Sequence, residues 1–282
     1  MELSPATEEP GHEAAAARAS VEWRLRRLLR ALGLGLAAVV AVSAIAALAA
    51  ERRNALWGVV DLCVSDARHT GLPFPCLAVD LNRGRELGHV VLRPPIGRPD
   101  TILSPTRRSL GIEDAWLLTP EAPNYFDEAW RNRSYVPNGE RASQRPLAMG
   151  LSINSRFTRS QDQLHIHMGC LTTEKQAQLR RIAAAAPARE WVLAPQFVHG
   201  QSAWAYRAGV GHFADLAPFR IAAERFGESR EGVGAITLFA APVATAAGDD
   251  ILLLAFPTQK PRFYLDISSE DLLDAGCSEF SL

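Results

Sequence analysis

The chain has 282 residues, of which 48% are hydrophobic and 22% charged, and its formal net charge is −1. That is an ordinary globular composition, long enough for a sizeable core in one or two domains. A balance so close to neutral excludes a general electrostatic pull on nucleic acid or on a strongly steered anionic substrate, so any phosphate recognition must be local.

In chain order, residues 1–17 are acidic, Ala-rich and unpatterned, and they open a stretch, 1–30, that reads as a disordered cytoplasmic tail. Residues 31–50, "ALGLGLAAVVAVSAIAALAA", carry no charge and no Pro. As a helix they would reach roughly 30 Å, the thickness of a bilayer core. Arg18, Arg24, Arg26, Arg27 and Arg30 precede this run and only Arg52 and Arg53 closely follow it, which orients a membrane helix with its N-terminus in the cytoplasm. The small residues of "AALAAE" would also suit a cleavage site, but thirty residues make a long leader, so an uncleaved anchor is the expectation. A juxtamembrane linker, 51–57, and a folded domain, 58–282, complete the expected organisation.

Export agrees with the four cysteines, Cys63, Cys76, Cys170 and Cys277, which are even in number and show no CxxC spacing. Three pairings are possible. Cys63 with Cys76 brackets a short loop, and Cys170 with Cys277 would tie the C-terminus to the strand that carries two histidines, so this pairing is expected.

Helical spacing marks "WGVVDLCVSDAR"; "GHVVLRPP" and "DTILSPT" read as strands joined by "PPIGRPD". A helix follows Pro123, with Phe126 and Trp130 one turn apart, and the strands "LAMGLSIN" and "QLHIHM" then flank the polar loop "SRFTRSQD". "TTEKQAQLRRIAAAA" is a helix ended by Pro187; the strands "GAITLFAAPV", "DILLLAFPT" and "RFYLDIS" and a short helix opened by Ser268 or Ser269 close the chain. Strands that arrive in adjacent pairs predict an α+β domain with an antiparallel sheet and packed helices, preceded by a single transmembrane helix.

If Gln163 to Met168 is a strand, Leu164, Ile166 and Met168 face a core while Gln163, His165, His167 and Gly169 share the other, polar side. HxH alone is a weak signal, equally at home on a solvated face. Ahead of it, however, stand Asn154, Arg156, Thr158, Arg159, Ser160 and Gln161. With Asn154, Gln161, His165 and His167 at these intervals, the sequence resembles the histidine-triad superfamily of nucleotide hydrolases and transferases. Within it, "INSR", "QLHIHMGC", "SPTRRSLGIED" and "NYFDEAW" resemble the CDP-diacylglycerol pyrophosphatases of bacterial inner membranes.

The resemblance implies a histidine-triad-like (HIT-like) antiparallel sheet and hydrolysis of CDP-diacylglycerol to CMP and phosphatidate. His167 takes the nucleophile's place and His165 the first histidine's, while the third is Gly169, which leaves open what orients or protonates the leaving oxygen. Histidine suits the task because a neutral imidazole attacks phosphorus without first losing a proton, and its adduct is labile. By motif position, Asn154 and Gln161 would bind phosphate oxygens or the nucleophile's surroundings, and His165 would support the developing charge. Arg156 and Arg159 are assigned to the diphosphate by proximity and by the fit of guanidinium to phosphate, and Thr106, Arg107 and Arg108 are within reach from a strand end. His199 is a candidate general acid.

No cofactor, metal or nucleic acid is expected, and the oligomeric state is open. The expected partners are the lipid nucleotide and the membrane, and the expected location is the bacterial inner membrane with the domain on its periplasmic side. Three rival readings stand beside this one: an enzyme of soluble nucleotides, a metal protein using His165, His167 and Cys170 or His199, and a non-catalytic exported module.

Overall fold

A computed structural model describes Leu34, Ser43 and residues 51–94, 100–228, 232–258 and 266–280. The chain divides into two compact units, 1–52 and 53–282. Of the first, Leu34, Ser43, Glu51 and Arg52 are described, all in helical conformation.

The expected membrane-spanning helix requires correction, because no helix among the described residues is long and apolar enough to cross a membrane. The stretch 31–50 that prompted the expectation lies, apart from Leu34 and Ser43, outside the described residues, as does the tail 1–30. Helix α1, Ala55–Thr70, begins within the expected linker; it has 16 residues and includes Asp61, Asp66 and Arg68, too short and too charged for a bilayer core of about 30 Å. It is instead amphipathic, burying Leu56, Val60, Cys63 and Val64, and it ends where Gly71 adopts a left-handed φ of 77°.

The second unit is built on a nine-stranded sheet in which every pairing is antiparallel. Its strands are β1 (Ala78–Asp80), β2 (His89–Leu92), β3 (Thr101–Pro105), β4 (Met149–Ile153), β5 (Ile166–Cys170), β6 (Trp191–Val198), β7 (Gln201–Arg207), β8 (Ile236–Thr245) and β9 (Gly248–Pro257). They lie in the order β1-β2-β3-β5-β4-β8-β9-β7-β6, which puts the histidine strand near the middle between β3 and β4. The α+β expectation with a large antiparallel sheet holds for this unit.

Alternation of side chains divides the core. Val91, Leu103, Leu151, Ile166, Met168, Leu238 and Leu253 point to one face, where α2 (Tyr125–Arg131), α3 (Gly139–Ser143) and α5 (Pro218–Phe226) cover them with Tyr125, Phe126, Phe219 and Phe226. On the other face there are two separate clusters. One joins α1 to Val90, Leu92 and Ile102; the second joins α4 (Thr173–Ala185) and the short helix α6 (Ser269–Leu272) to Phe239, Leu252 and Leu254.

Strands β6 and β7 escape a reading of the sequence, because Pro195 interrupts the first and a register shift falls between Ala194 and Val198. The histidine strand also starts later than Gln163. There the Gln163 amide donates to the carbonyls of Pro105 (3.1 Å) and Arg107 (2.9 Å), so a side chain, not a strand ladder, pins the backbone. Of "RFYLDIS", residues 262–265 lie outside the description, and Asp266 and Ile267 are not in a strand. Both expected disulfides form, Cys63–Cys76 and Cys170–Cys277.

Candidate active site

On β5, Ile166, Met168 and Cys170 enter the large core, so His167, and His165 just ahead of the strand, turn to the opposite face. That face is not solvated: the two histidines are 6% and 7% exposed. A cavity of about 420 Å³ opens beside them. One wall is apolar, made by Ala55, Leu56 and Val59 of α1 with Leu92, Pro94 and Ile102; the other is polar, made by Asp100, Ser160, Gln161, His165, His167 and Glu270.

The two imidazoles differ in their partners. His165 Nδ1 lies 2.7 Å from the carbonyl of Gln163, and a carbonyl only accepts, so Nδ1 carries the proton and Nε2 a lone pair. His167 Nδ1 lies 3.8 Å from Asp100 Oδ2, too far for a hydrogen bond, and its Nε2 is buried without a hydrogen-bond partner among the described residues. Burial pushes His167 well below the ordinary 6.5, and His165, with ring centroids 5.0 Å apart, pushes the same way. Burial also lowers His165, against a smaller upward pull from the Gln163 carbonyl. Both shifts run below 6.5 and so favour neutral rings near pH 7.

The loop 154–163 is clamped from several sides. Gln161 Oε1 accepts from Leu56 N at 2.8 Å, satisfying a donor in the first turn of α1. Arg53 grips both oxygens of Asp162 at 2.6 Å, which, with help from Arg159, holds that carboxyl down at about 2. Asn154 Oδ1 accepts from Ser269 N at 2.7 Å and lies 3.0 Å from Ser269 Oγ, fastening the start of α6. A capping box between Ser268 and Asp271 shapes the same turn, and Glu270 projects from it into the cavity. One ligand atom each from Asp100, His167 and Glu270 lie within 4.8 Å of one another, a donor set able to hold a divalent cation.

Of the residues singled out in the sequence, His165, His167 and Gln161 meet in the cavity, and Asn154 acts one step behind it. Arg159 is spent elsewhere: it is 8% exposed, and two of its nitrogens lie 2.7 Å from the oxygens of Glu113. Arg156 lies over the Phe157 ring at 4.7 Å and is not among the described residues lining the cavity. Thr106 donates to the Arg85 carbonyl, Arg107 stacks on Trp116 and bonds Glu86, and Arg108 bonds Asn54. His199 sits in the β6–β7 turn, 3.1 Å from Asp271 and outside the cavity wall.

Asp100 and Glu270 escape sequence reasoning. Each is a lone carboxylate in a commonplace setting, one before a strand and one in a capping box, and only the fold brings them to His167. Gly169 sits in a tight place: a Cβ there would stand 3.0 Å from Leu273 Cβ and 3.1 Å from the Asp274 carbonyl, so the chain beyond α6 crowds the position of a third histidine.

Neutral imidazoles kept out of water beside carboxylates are the equipment of a hydrolase, and comparison with known proteins supplies the bond it acts on. A family profile described as CDP-diacylglycerol pyrophosphatase matches residues 51–281. A CDP-diacylglycerol pyrophosphatase of Yersinia pestis is 31% identical over 235 residues, covering 83% of this chain and 87% of that protein. The protein is thus a hydrolase of a diphosphate bond. The chain belongs to the CDP-diacylglycerol pyrophosphatase family.

Proposed function

We propose that the chain hydrolyses CDP-diacylglycerol to CMP and phosphatidate through a cytidylyl group carried on His167, in the manner of the histidine-triad superfamily. The observation that carries this reading is the setting of His167: buried beside the cavity, with Nε2 unpartnered among the described residues and with burial favouring the uncharged ring. Asp100 on the Nδ1 side favours the proton there, which leaves the Nε2 lone pair for attack. The attack forms an N–P bond to the cytidylyl phosphorus, and phosphatidate leaves with the electrons of the broken P–O bond. The adduct is an imidazolium whose positive charge the nearby Asp100 carboxylate offsets. Water then releases CMP.

Burial, and to a smaller degree His165 fixed by the Gln163 carbonyl, favours the uncharged nucleophile. Ser160 and Gln161, not the guanidinium of Arg159, meet the phosphate oxygens. The apolar wall receives the glycerol end of the lipid. Two disulfides support a site of action outside the reducing cytoplasm, and a lipid substrate supports the periplasmic surface of a bacterial inner membrane, with the activity in the domain 58–282.

A second reading has its own observation, the Asp100–His167–Glu270 donor set, which would make the enzyme metal-dependent; Cys170 is excluded as a ligand by its disulfide. Both readings are tested by incubating wild-type and His167→Ala protein with CDP-diacylglycerol in EDTA and weighing the products. CMP and phosphatidate from wild type, with a fall of roughly 10⁴-fold or more in the variant, is the expected result. Equal turnover by the variant rejects the covalent reading, and loss of wild-type activity in EDTA that Mn²⁺ restores selects the metal.

A further inference from the structure

We infer that Glu270 is the general base for the water that releases CMP, an inference that rests on the covalent reading above. The segment from Ser269 to Asp274, packed beside β5, both crowds Gly169 and delivers this carboxylate. It is held at several points: Asn154 bonds Ser269, Lys175 Nζ donates to the carbonyls of Asp271 (2.7 Å) and Leu272 (3.0 Å), and Cys170 and Asp274 exchange backbone hydrogen bonds of 2.9 Å. The Cys170–Cys277 disulfide then closes it onto the histidine strand. Glu270 is therefore positioned by rigid neighbours, as a catalytic group requires.

The next residue, Asp271, is engaged by Ser268 and His199, whereas no ion pair among the described residues engages Glu270. Glu270 stands in the cavity wall, and one of its oxygens, one Asp100 oxygen and one His167 ring nitrogen lie within 4.8 Å of one another. From the cavity wall its carboxylate can hold a water by a hydrogen bond near 3 Å on the side of the phosphorus away from His167. In the step, the water oxygen bonds to phosphorus, the N–P bond breaks with its electrons returning to His167 Nε2, and the water proton passes to Glu270. Glu270 then loses that proton to solvent, and CMP departs.

The test uses the full chain with Glu270→Gln, which keeps the side chain's shape, in rapid-quench single turnovers followed by peptide mass analysis. Steady turnover is expected to fall by roughly 10²–10⁴-fold, while the first phosphatidate still appears promptly and a cytidylyl group accumulates on His167. Formate added to Glu270→Ala is expected to restore part of the rate, which a purely structural role would not allow. A slow variant with no accumulated adduct, or a Glu270→Gln enzyme as fast as wild type while His167→Ala is dead, overturns the inference alone. Activity in His167→Ala defeats the covalent reading itself. Wild-type turnover that requires Mn²⁺ makes Glu270 a ligand and overturns the assignment as a base.

Discussion

The two faces of the sheet are built differently, and the difference locates the chemistry. One face is a continuous core in which Leu103, Leu151, Ile166, Met168 and Leu238 of adjacent strands meet Tyr125, Phe126 and Phe219 from the helices. The other is two clusters, under α1 and under α4 and α6, with β4 and β5 passing between them. There these strands, with His165 just ahead of β5, present Gly150, Ser152, His167 and Gly169, none a large apolar side chain. The gap costs core area, which at about 25 cal/mol per Å² is a sacrifice of stability for a dry, polar site. Along a single strand, then, odd positions do chemistry and even positions hold the sheet together.

The sharpest break of that comparison is at its seam. Cys170 belongs to the core face, yet its disulfide to Cys277 retains the segment carrying Glu270 on the other. The loop it closes spans 107 residues. Loss of the bond in Cys170→Ala/Cys277→Ala is expected to cost about 4–5 kcal/mol by chain entropy, seen as a lower midpoint in urea, with activity falling in the protein that remains folded.

Next in size is Met168→Ala, one residue from the nucleophile but in the opposite core. It is expected to lower stability by about 2–5 kcal/mol while the folded enzyme keeps turnover close to wild type. Strongly reduced turnover at unchanged stability would erase the distinction between the faces. A smaller effect is expected of Gly169→Ala, whose new methyl pushes on Leu273 and Asp274: about 1–3 kcal/mol of stability, accompanied by slower CMP release as Glu270 shifts.

The smallest effect is with pH. His165 and His167 are depressed below 6.5 when folded, so below that pH the unfolded chain takes up protons that the folded chain refuses. Stability therefore falls as pH drops below 6.5 towards the folded values, and it is flat with respect to these groups above. Replacing both histidines with glutamine should remove that part of the slope in denaturant midpoints taken across pH 5 to 7, leaving the carboxylate contribution.

Much of the site is legible in the sequence. Spacing places His165, His167 and Gln161, and the cysteine pairing follows from which loops the bonds would close. The arginines are not legible in this way. Arg159 carries the charge suited to phosphate, but a guanidinium is equally suited to carboxylates, and Glu113 and Asp162 stand closer. Nor does a polar alternation reveal whether its face meets water or a second layer, so the histidines' burial, on which their neutrality depends, is invisible in the chain alone.

By itself, then, the sequence determined the elements whose signals are local: period-two strands, capped helices, the HxH pair and the cysteines that staple them. Tertiary structure alone decided which carboxylates join the histidines, for Asp100 and Glu270 lie 170 positions apart in the numbering and reach His167 from opposite sides of β5's place in the sheet. It also decided that Gly169 stays a glycine. The physical reason is common to both: local propensity depends on a residue's neighbours in the chain, whereas proton affinity and steric exclusion depend on whatever the folded chain has brought within a few ångströms.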